Sequence, residues 1–375
     1  MNSLQPSSTT FVVGVGPIAP PIHGAASGTE AVLDYFRPRL RLLVANTSRG
    51  TSEGFRKHLV KAARTLRAMA YLLVNASRSQ SKVLYMAADG GRGILYNILV
   101  ALMGRMCGYR IFLHHHSFAY IDRKSTLMAI LSSLVGRSGV HIALCEVMAS
   151  GLRARYPVIN NTMLLFGSAY VAATPRLAPR GAADIRVGFL SNLIIEKGLD
   201  TCIVLLRAAL QEGLPVRLII AGRPPDQRAV DLVEVAKAEF GDALEYLGPV
   251  SEEEKTQFYL ELDVFAFPTR YINEAQPRAV LDALGFGVPV LTVARSCIAS
   301  DVGPDAGLCV PPSCDFVENV MPVLRTWCND RQSLARSSYA AAERARVLHN
   351  EGVRQLAAIV GEMKAGLDGR EDEIS

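Results

Sequence analysis

The chain has 375 residues, of which 50% are hydrophobic and 20% charged, a balance that excludes a disordered or fibrous protein. This length predicts about two domains. The formal net charge of +5 conceals an asymmetry, because residues 1–180 carry 21 basic and 6 acidic side chains whereas residues 181–375 carry 19 basic and 29 acidic ones. The opposite signs predict that the two halves meet different partners.

The sequence shows no clear transmembrane segment and no clear secretion signal. The most apolar run, residues 94–103, is followed by Arg105 before it reaches the roughly 18 residues needed to span a bilayer. The N-terminal MNSLQPSSTT has neither the basic start nor the apolar run of a secretion signal. We therefore expect a cytoplasmic protein, with peripheral attachment to the inner face of the cytoplasmic membrane as a further expectation.

That further expectation rests on one basic segment of the first half. Arg56, Lys57, Lys61, Arg64 and Arg67 fall on a predicted helix with the sequence FRKHLVKAARTLRAMAYLLV. Cations on such a helix attract an anionic membrane surface. A plain solvated helix is an alternative. Nucleic acid is a weaker one, because the segment lacks interleaved aromatic residues.

Short apolar runs alternate with helical patterns along both halves, which predicts parallel sheets covered by helices on both faces. In the first half we predict strands at 10–14, 40–45, 82–86, 110–113 and 140–144. In the second half we predict strands at 185–190, 216–221, 244–247, 264–268 and 288–293, and a final helix at 331–367. We place the boundary near Gly181 and predict an α/β chain with domains 1–180 and 181–335 and a C-terminal helical segment, 336–375.

A glycine-rich loop follows the first predicted strand, in the sequence GVGPIAPPIHGAASGTEAVLDYF. Its glycines, Gly24 among them, allow close approach of a ligand, and the helix expected from about Ser27 or Thr29 offers free N–H groups to a phosphate. The spacing fits neither the dinucleotide fingerprint nor the P-loop, so this motif alone is a weak signal and favours an ordinary loop slightly over a binding loop.

The run FLHHHSFAYID places three histidines at the end of a predicted strand, the edge at which α/β proteins bind ligands. Adjacent strand residues point to opposite faces, which disfavours a shared metal ion. We expect His116 to meet the substrate, and His114 or His115 to be hydrogen-bonded core residues.

Two loops of the second half carry the remaining candidates. In VGFLSNLIIEKGLDTCIVLL, Lys197 lies between a strand and a helix, where a cation can stabilise a leaving phosphate. In DVFAFPTRYINEAQPRAVLDALGFGVPVLTV, Glu274 precedes a helix whose first turn is marked by Pro277, and Asp282 lies inside that helix. Such carboxylates suit sugar hydroxyls, although Glu274 alone also fits a helix-capping acid.

Together these motifs resemble the glycosyltransferases of family 4, also called group 1. The resemblance is strongest from Val187 to Gly303 and weaker at PIHGA and LHHHS. It implies the GT-B fold, two Rossmann-like domains facing across a cleft. Carried onto this sequence, it implies catalytic roles for His116, Glu274 and Lys197, and it implies that the donor-binding residues are Gly24, Asn192, Lys197, Ala275, Gln276, Pro277 and Asp282.

The resemblance further implies a retaining transfer of a sugar from a nucleotide diphosphate sugar to a hydroxyl of a saccharide or lipid-linked acceptor, with no metal or other cofactor and with a role in surface polysaccharide or lipopolysaccharide synthesis. Two positions depart from the family pattern: Asn192 stands where the family often has an arginine, and Asp282 where it has a glutamate. Arg223 or Arg278 is a candidate replacement for the absent arginine. A nucleotide-sugar epimerase of the same fold and a non-catalytic sugar-nucleotide-binding relative are the alternatives.

Overall fold

The computed structural model describes residues 10–19, 24–48, 56–77, 81–171 and 184–365. These residues form two compact units. The first comprises the described residues up to Tyr170 together with those from Asn350 onward, and the second runs from Val171 to His349. The predicted boundary near Gly181 lies outside the described residues, and the predicted domain limits stay predictions.

The first unit is built on a six-stranded parallel sheet. Its strand order is β2-β1-β3-β4-β5-β6. The strands are β1 Phe11–Gly16, β2 Arg41–Asn46, β3 Lys82–Ala87, β4 Arg110–His114, β5 Val140–Ala143 and β6 Thr162–Leu164. All the pairings are parallel, so the carboxyl ends of these strands meet at one edge.

Six helices connect these strands: α1 Gly24–Phe36, α2 Arg56–Val74, α3 Ile94–Met106, α4 Ala119–Asp122, α5 Thr126–Val135 and α6 Glu146–Arg155. The steps from β2 to β3, β3 to β4 and β4 to β5 all run in one direction across the sheet. Right-handed crossovers therefore place α2, α3 and α5 on the same face, and α3 packs against both α2 and α5.

The other face of this sheet is covered by α1 and by the end of the last helix. Val32, Leu33 and Phe36 of α1 share one buried core with Leu356 and Ile359. Helix α1 begins at Gly24, earlier than the sequence pattern indicated. It lies so close to β1 that a Cβ atom on Gly16 would come within 2.8 Å of Thr29.

The second unit repeats the plan with a second six-stranded parallel sheet, in the order β12-β11-β10-β7-β8-β9. Its strands are β7 Ile185–Leu190, β8 Val216–Ala221, β9 Leu244–Gly248, β10 Val264–Phe267, β11 Val290–Val293 and β12 Gly307–Val310. Its helices are α7 Leu199–Gln211, α8 Gln227–Phe240, α9 Glu252–Glu261, α10 Arg278–Gly285, α11 Ile298–Val302 and α12 Phe316–Asn329.

A final helix, α13 (Arg331–Ala365), begins in the second unit, and its residues from Asn350 belong to the first. The two parallel sheets with their covering helices confirm the predicted α/β class. Strands β6 and β12 were not predicted. Each has only three or four residues and is mostly half-buried, so neither leaves a strong apolar signal.

Helix α2 is oriented differently from the expectation. Lys61 is buried, and its Nζ lies 2.6 Å from Oδ2 of Asp89. Arg64 donates hydrogen bonds to the carbonyl and hydroxyl oxygens of Ser48. These two cations therefore hold the helix onto its own unit. Across the described ranges, no helix combines the length and apolar character that a membrane span requires.

Candidate active site

The first loop of the candidate site follows β7 in the second unit. After Leu190 the chain passes Asn192, which is exposed, and forms a 3-10 turn at Ile195–Lys197 that ends at Gly198. Gly198 has φ of 104°, and a Cβ atom there would come within 2.6 Å of the carbonyl oxygen of Pro268. Only glycine lets this loop lie so close to the end of β10.

A second loop follows β10, the neighbouring strand, and contains Glu274. The Nζ atom of Lys197 lies 3.4 Å from Oε2 of Glu274 and 5.6 Å from the ring centroid of Tyr271. Glu274 is buried, so its carboxylate depends on this cation for charge compensation. The structure thus brings together two of the three residues for which the sequence predicts a catalytic role.

Arg270 fixes the two loops to each other. Its backbone N–H donates to the carbonyl oxygen of Glu196 at 2.7 Å, and its guanidinium donates to Asp200 and to the hydroxyl of Thr201. The loop that carries Lys197 and the loop that carries Glu274 are therefore joined to each other through the protein's own hydrogen bonds.

A third segment, between β11 and α11, holds the Glu274 loop through two hydrogen bonds. Ser296 donates its hydroxyl hydrogen to the carbonyl oxygen of Glu274 at 2.7 Å, and the N–H of Cys297 donates to the carbonyl oxygen of Ala275 at 3.1 Å. Ser296 has φ of 55° and is the sole non-glycine residue of the described ranges in the left-handed region. That conformation costs about 1–3 kcal/mol, which indicates that the surrounding contacts fix it.

The side chain of Gln276 is held by a buried carboxylate. Its Nε2 donates to Oδ1 of Asp301 at 2.8 Å. Burial raises the pKa of Asp301 to about 7, while the hydrogen bond from Gln276 and the charge of Arg344 act in the opposite direction. Asp301 therefore changes charge near neutral pH, next to a predicted donor-binding residue. The sequence pattern missed Ser296 and Asp301, because only folding brings them near the predicted residues, and it missed Tyr271, three residues before Glu274, because nothing local shows that its ring lies near Lys197.

Helix α10 begins immediately after this loop. Pro277 precedes it in an extended conformation and supplies no capping side chain. The first N–H groups of a helix have no partner within the helix and carry part of its positive dipole. The start of α10 can therefore bind an anion beside Lys197.

Asp282 lies about one turn into α10, where its carboxylate contacts two cations. Its Oδ2 lies 3.4 Å from Nζ of Lys255, and its Oδ1 lies 3.5 Å from Nε of Arg278. Burial raises its pKa, and the two cations oppose that rise. In this structure the buried Asp282 takes part in an ion cluster with the half-buried Lys255 and Arg278.

The two candidates for the absent arginine differ in their contacts. Arg278 is engaged with Asp282. Arg223 is exposed at the end of β8, and its carbonyl oxygen accepts a hydrogen bond from the N–H of Leu193 at 3.1 Å. Gly222 makes this approach possible, because a Cβ atom there would come within 1.8 Å of the carbonyl oxygen of Ser191. Arg223 therefore lies beside the loop that contains Asn192.

The histidines lie at the carboxyl edge of the sheet in the first unit. His114 and His115 are fully buried: Nδ1 of His114 lies 2.7 Å from the hydroxyl of Tyr85, and His115 bonds Tyr120 and His141. Burial lowers the pKa of His114 and of His115 well below the usual value and that of His141 to about 4. The buried rings are therefore neutral near pH 7.

His116 is half-buried, and its ring centroid lies 4.1 Å from that of His114. Gly24 is exposed at the first residue of α1, and a Cβ atom there would meet nothing within 4 Å. Both residues follow strands of the same parallel sheet, β4 and β1, at its carboxyl edge. Among the described side chains, no cluster of three or more His, Cys, Asp or Glu has an arrangement that could hold a metal ion.

Comparison with known proteins adds a family match and several structural ones. Residues 180–344 match the model of the family described as glycosyl transferases group 1. No curated protein matches the chain significantly.

The fold is similar to that of solved structures across nearly the whole chain. HepE from Anabaena in complex with UDP is 16% identical, with a TM-score of 0.68, over 93% of this chain and 100% of that one. Sucrose-phosphate synthase from Thermosynechococcus elongatus is 14% identical, with a TM-score of 0.70, over 95% of this chain and 100% of that one. The pneumococcal O-GlcNAc transferase GtfA, in complex with UDP and GlcNAc, is 13% identical, with a TM-score of 0.62, over 79% of this chain and 59% of that one.

At these identities the structural likeness establishes the fold, which is GT-B. The family match covers the segment that contains Lys197, Glu274 and the start of α10. The fold and the matched segment together support a GT-B glycosyltransferase.

Proposed function

We propose that this protein is a retaining glycosyltransferase that moves a sugar from a nucleotide diphosphate sugar to an acceptor hydroxyl. The observation that carries the proposal is the pairing of Lys197 with the buried Glu274, 3.4 Å apart, immediately before the uncapped start of α10. A cation and free N–H groups at one place suit a diphosphate, and a nearby carboxylate suits the hydroxyls of its sugar.

The donor is proposed to bind with its diphosphate at Lys197 and the first N–H groups of α10, around Ala275, Gln276 and Pro277. Lys197 then has two anionic partners, the carboxylate and the phosphate. Glu274 keeps its place through the contacts of its own carbonyl oxygen with Ser296 and of Ala275 with Cys297. Its carboxylate is left to accept hydrogen bonds from the sugar.

In the proposed transfer, the bond between the anomeric carbon and the phosphate oxygen breaks, and its electron pair stays on the leaving diphosphate. The acceptor oxygen forms a bond to the anomeric carbon from the same face, and the acceptor proton passes to a phosphate oxygen. The positive charge of Lys197 and the dipole of α10 stabilise the charge that grows on the diphosphate. Because these groups already supply positive charge, the proposal assigns no metal to the step.

The two positions that depart from the family pattern, Asn192 and Asp282, are assigned roles in donor binding as follows. Arg223 lies beside the loop of Asn192 and is exposed, so we assign to it the role of second diphosphate cation in preference to Arg278. The role of Asp282 at the nucleotide ribose requires that it exchange its contacts with Lys255 and Arg278 for the ribose. In the first unit, His116 and Gly24 are assigned to the reacting sugars and the acceptor.

The acceptor is proposed to be a saccharide or a lipid-linked saccharide of surface polysaccharide or lipopolysaccharide synthesis, used on the cytoplasmic side of the membrane. Solved structures of the same fold were obtained with UDP, with UDP-glucose and with UDP and GlcNAc, which supports a screen that begins with uridine donors.

The proposal is tested by transfer from a panel of nucleotide sugars, with donors first identified by thermal shift, since a ligand that binds only the folded state raises its stability. The variants Lys197→Met and Glu274→Gln are expected to lower kcat by about 100-fold to 1000-fold. Lys237→Met, which removes an exposed lysine paired with Glu234, is the control for the loss of one cation and is expected to leave kcat unchanged.

Three results would contradict the proposal. Undiminished transfer by both variants would refute the site. Conversion of one nucleotide sugar into its epimer without an acceptor would favour an epimerase, and donor binding without turnover over the whole panel would favour a non-catalytic relative. The anomeric configuration of the product, read by NMR, tests retention separately.

A further inference from the structure

Helix α2 turns an apolar line of side chains to solvent. Leu59, Leu66 and Leu73 are 55%, 65% and 60% exposed. A spacing of seven residues is close to two helical turns, so the three leucines lie along one side of the helix. The opposite side, which includes Lys61 and Leu72, is buried against the first unit.

The neighbouring helices continue this surface. On α3, Leu95, Leu99, Leu102 and Met106 recur at intervals of four, three and four residues and are all exposed. Ile130 is exposed on α5, on the other side of α3. We call this surface the leucine face and define it by Leu59, Leu66, Leu73, Val74, Leu95, Leu99, Leu102, Met106 and Ile130. These nine are half of the eighteen large hydrophobic side chains exposed in the described ranges, and they occupy three adjacent helices.

The chain segments that form the leucine face carry many exposed basic residues and few acidic ones. The accompanying basic residues that are exposed are Arg56, Arg67, Arg92, Arg105, Arg123, Lys124 and Arg137. Within residues 56–77 and 81–138 the acidic residues are Asp89 and Asp122. Asp89 is paired with Lys61. The leucine face is therefore apolar, and the chain segments that form it carry an excess of positive charge.

This combination distinguishes between possible partners. A helix that faces only water carries polar side chains at its outward positions, and α2 and α3 carry leucines there. A symmetric dimer formed through this face would bring the basic residues of the two copies together. Their charges would repel each other, because few acidic residues are present to pair with them. An interface with anionic phospholipid matches both features, because leucines enter the boundary of the acyl chains while arginine and lysine reach the headgroups.

We propose that the leucine face binds the surface of an anionic phospholipid bilayer, with the leucines inserted at the boundary between headgroups and acyl chains and no helix crossing the membrane. The inference goes beyond the proposed glycosyl transfer and does not depend on Lys197 or Glu274. Of the cations that the sequence pattern assigned to the membrane, the proposal keeps the exposed Arg56 and Arg67, leaves out Lys61 and Arg64, which bond within the first unit, and adds the leucines.

Flotation of the full-length protein with lipid vesicles tests this proposal. We expect binding to vesicles of phosphatidylcholine and phosphatidylglycerol at 7:3, and much weaker binding to pure phosphatidylcholine. The triple variant Leu59→Ser, Leu66→Ser, Leu73→Ser is expected to bind the anionic vesicles about 100-fold more weakly, since each leucine loses its apolar contact. Its matched control changes three exposed valines of the second unit: Val204→Ser, Val230→Ser and Val235→Ser.

A second pair of variants tests the charge. Arg56→Gln with Arg67→Gln is expected to weaken binding by about 5-fold for each arginine, an effect that disappears on neutral vesicles. The control, Arg336→Gln with Arg346→Gln on α13, makes the same change in net charge and is expected to bind as the parent does.

Several results would overturn the docking proposal: no binding of the parent protein, equal binding by the serine triple variant and its control, or a stable dimer that the serine changes dissociate. The last would make the leucine face a contact between copies. Donor binding, measured by thermal shift without vesicles, is expected to be the same in all these variants. Its absence from the parent with vesicle binding intact would contradict the glycosyl transfer and leave the docking proposal standing.

Discussion

The carboxyl edges of the two sheets differ in the chemistry they bury. The first sheet ends in neutral imidazoles, because burial lowers the pKa values of His114, His115 and His141. The second ends in carboxylates with nearby cations, at Glu274 and Asp282, and in the carboxylate of Asp301, whose pKa is raised. Two units with the same sheet plan therefore bury different chemistry at this edge, which supports the proposal that the second unit is the donor side and the first the acceptor side.

This difference predicts opposite pH dependences for the stability of the two units. The folded pKa of His141 is below its unfolded value, so its contribution to stability is present above about pH 6.5 and is lost as the pH falls through about 4. The folded pKa of Asp301 is above its unfolded value, so its contribution is present below about pH 4 and is lost as the pH rises through about 7. Each effect is on the order of 3 kcal/mol.

Hydrogen exchange resolved by mass spectrometry measures each unit separately at pH 5 and pH 8. Asp301→Asn is expected to remove the loss of protection in the second unit between these values, and His141→Gln is expected to reduce the loss in the first unit at pH 5. Asp305→Asn and His58→Gln, both at exposed positions, are the controls. If the stabilities of both units changed with pH in the same direction, the predicted difference between the two sheet edges would be contradicted.

A smaller effect tests the assignment of the second cation at the donor-side edge. Arg223→Gln is expected to lower kcat/KM for transfer by about 10-fold, because one partly solvated cation no longer stabilises the diphosphate. Restoring a cation in the neighbouring loop, with Asn192→Arg in the same background, is expected to recover most of that loss.

Steady-state kinetics on these two variants and on Arg228→Gln, an exposed arginine in α8, provide the measurement. If Arg278→Gln lowered transfer and Arg223→Gln did not, the second cation would be Arg278. The donor-side edge would then include the ion cluster of Asp282.

Much of the fold follows from apolar runs in the sequence. Strands β7 and β8 have the predicted bounds, because Ile185–Leu190 and Val216–Ala221 are mostly buried apolar runs, each interrupted by a single arginine, of the kind that central parallel strands require. The short strands β6 and β12 at the sheet edges carry too few buried residues to be recognised from their own sequence.

The candidate site was partly predictable for a similar reason. Lys197 and Glu274 each follow a predicted parallel strand. Residues that follow such strands lie at the carboxyl edge of the sheet, so the sequence indicated the edge at which both are found. The supports of that edge, Ser296 and Asp301, are separated from Glu274 by another strand, and no local pattern relates them to it. The orientation of α2 was unpredictable because both of its sides carry apolar residues, and only packing decided that Leu72 is buried and Leu66 exposed.

The central claim is that the diphosphate of the donor binds at Lys197 and the start of α10. A crystal structure with the nucleotide diphosphate that most raises thermal stability tests it most directly. The account predicts phosphate oxygens within hydrogen-bonding distance of Nζ of Lys197 and of backbone N–H groups between Ala275 and Ala279. A nucleotide whose phosphates bind elsewhere, with Lys197 and Glu274 still paired, would contradict the account.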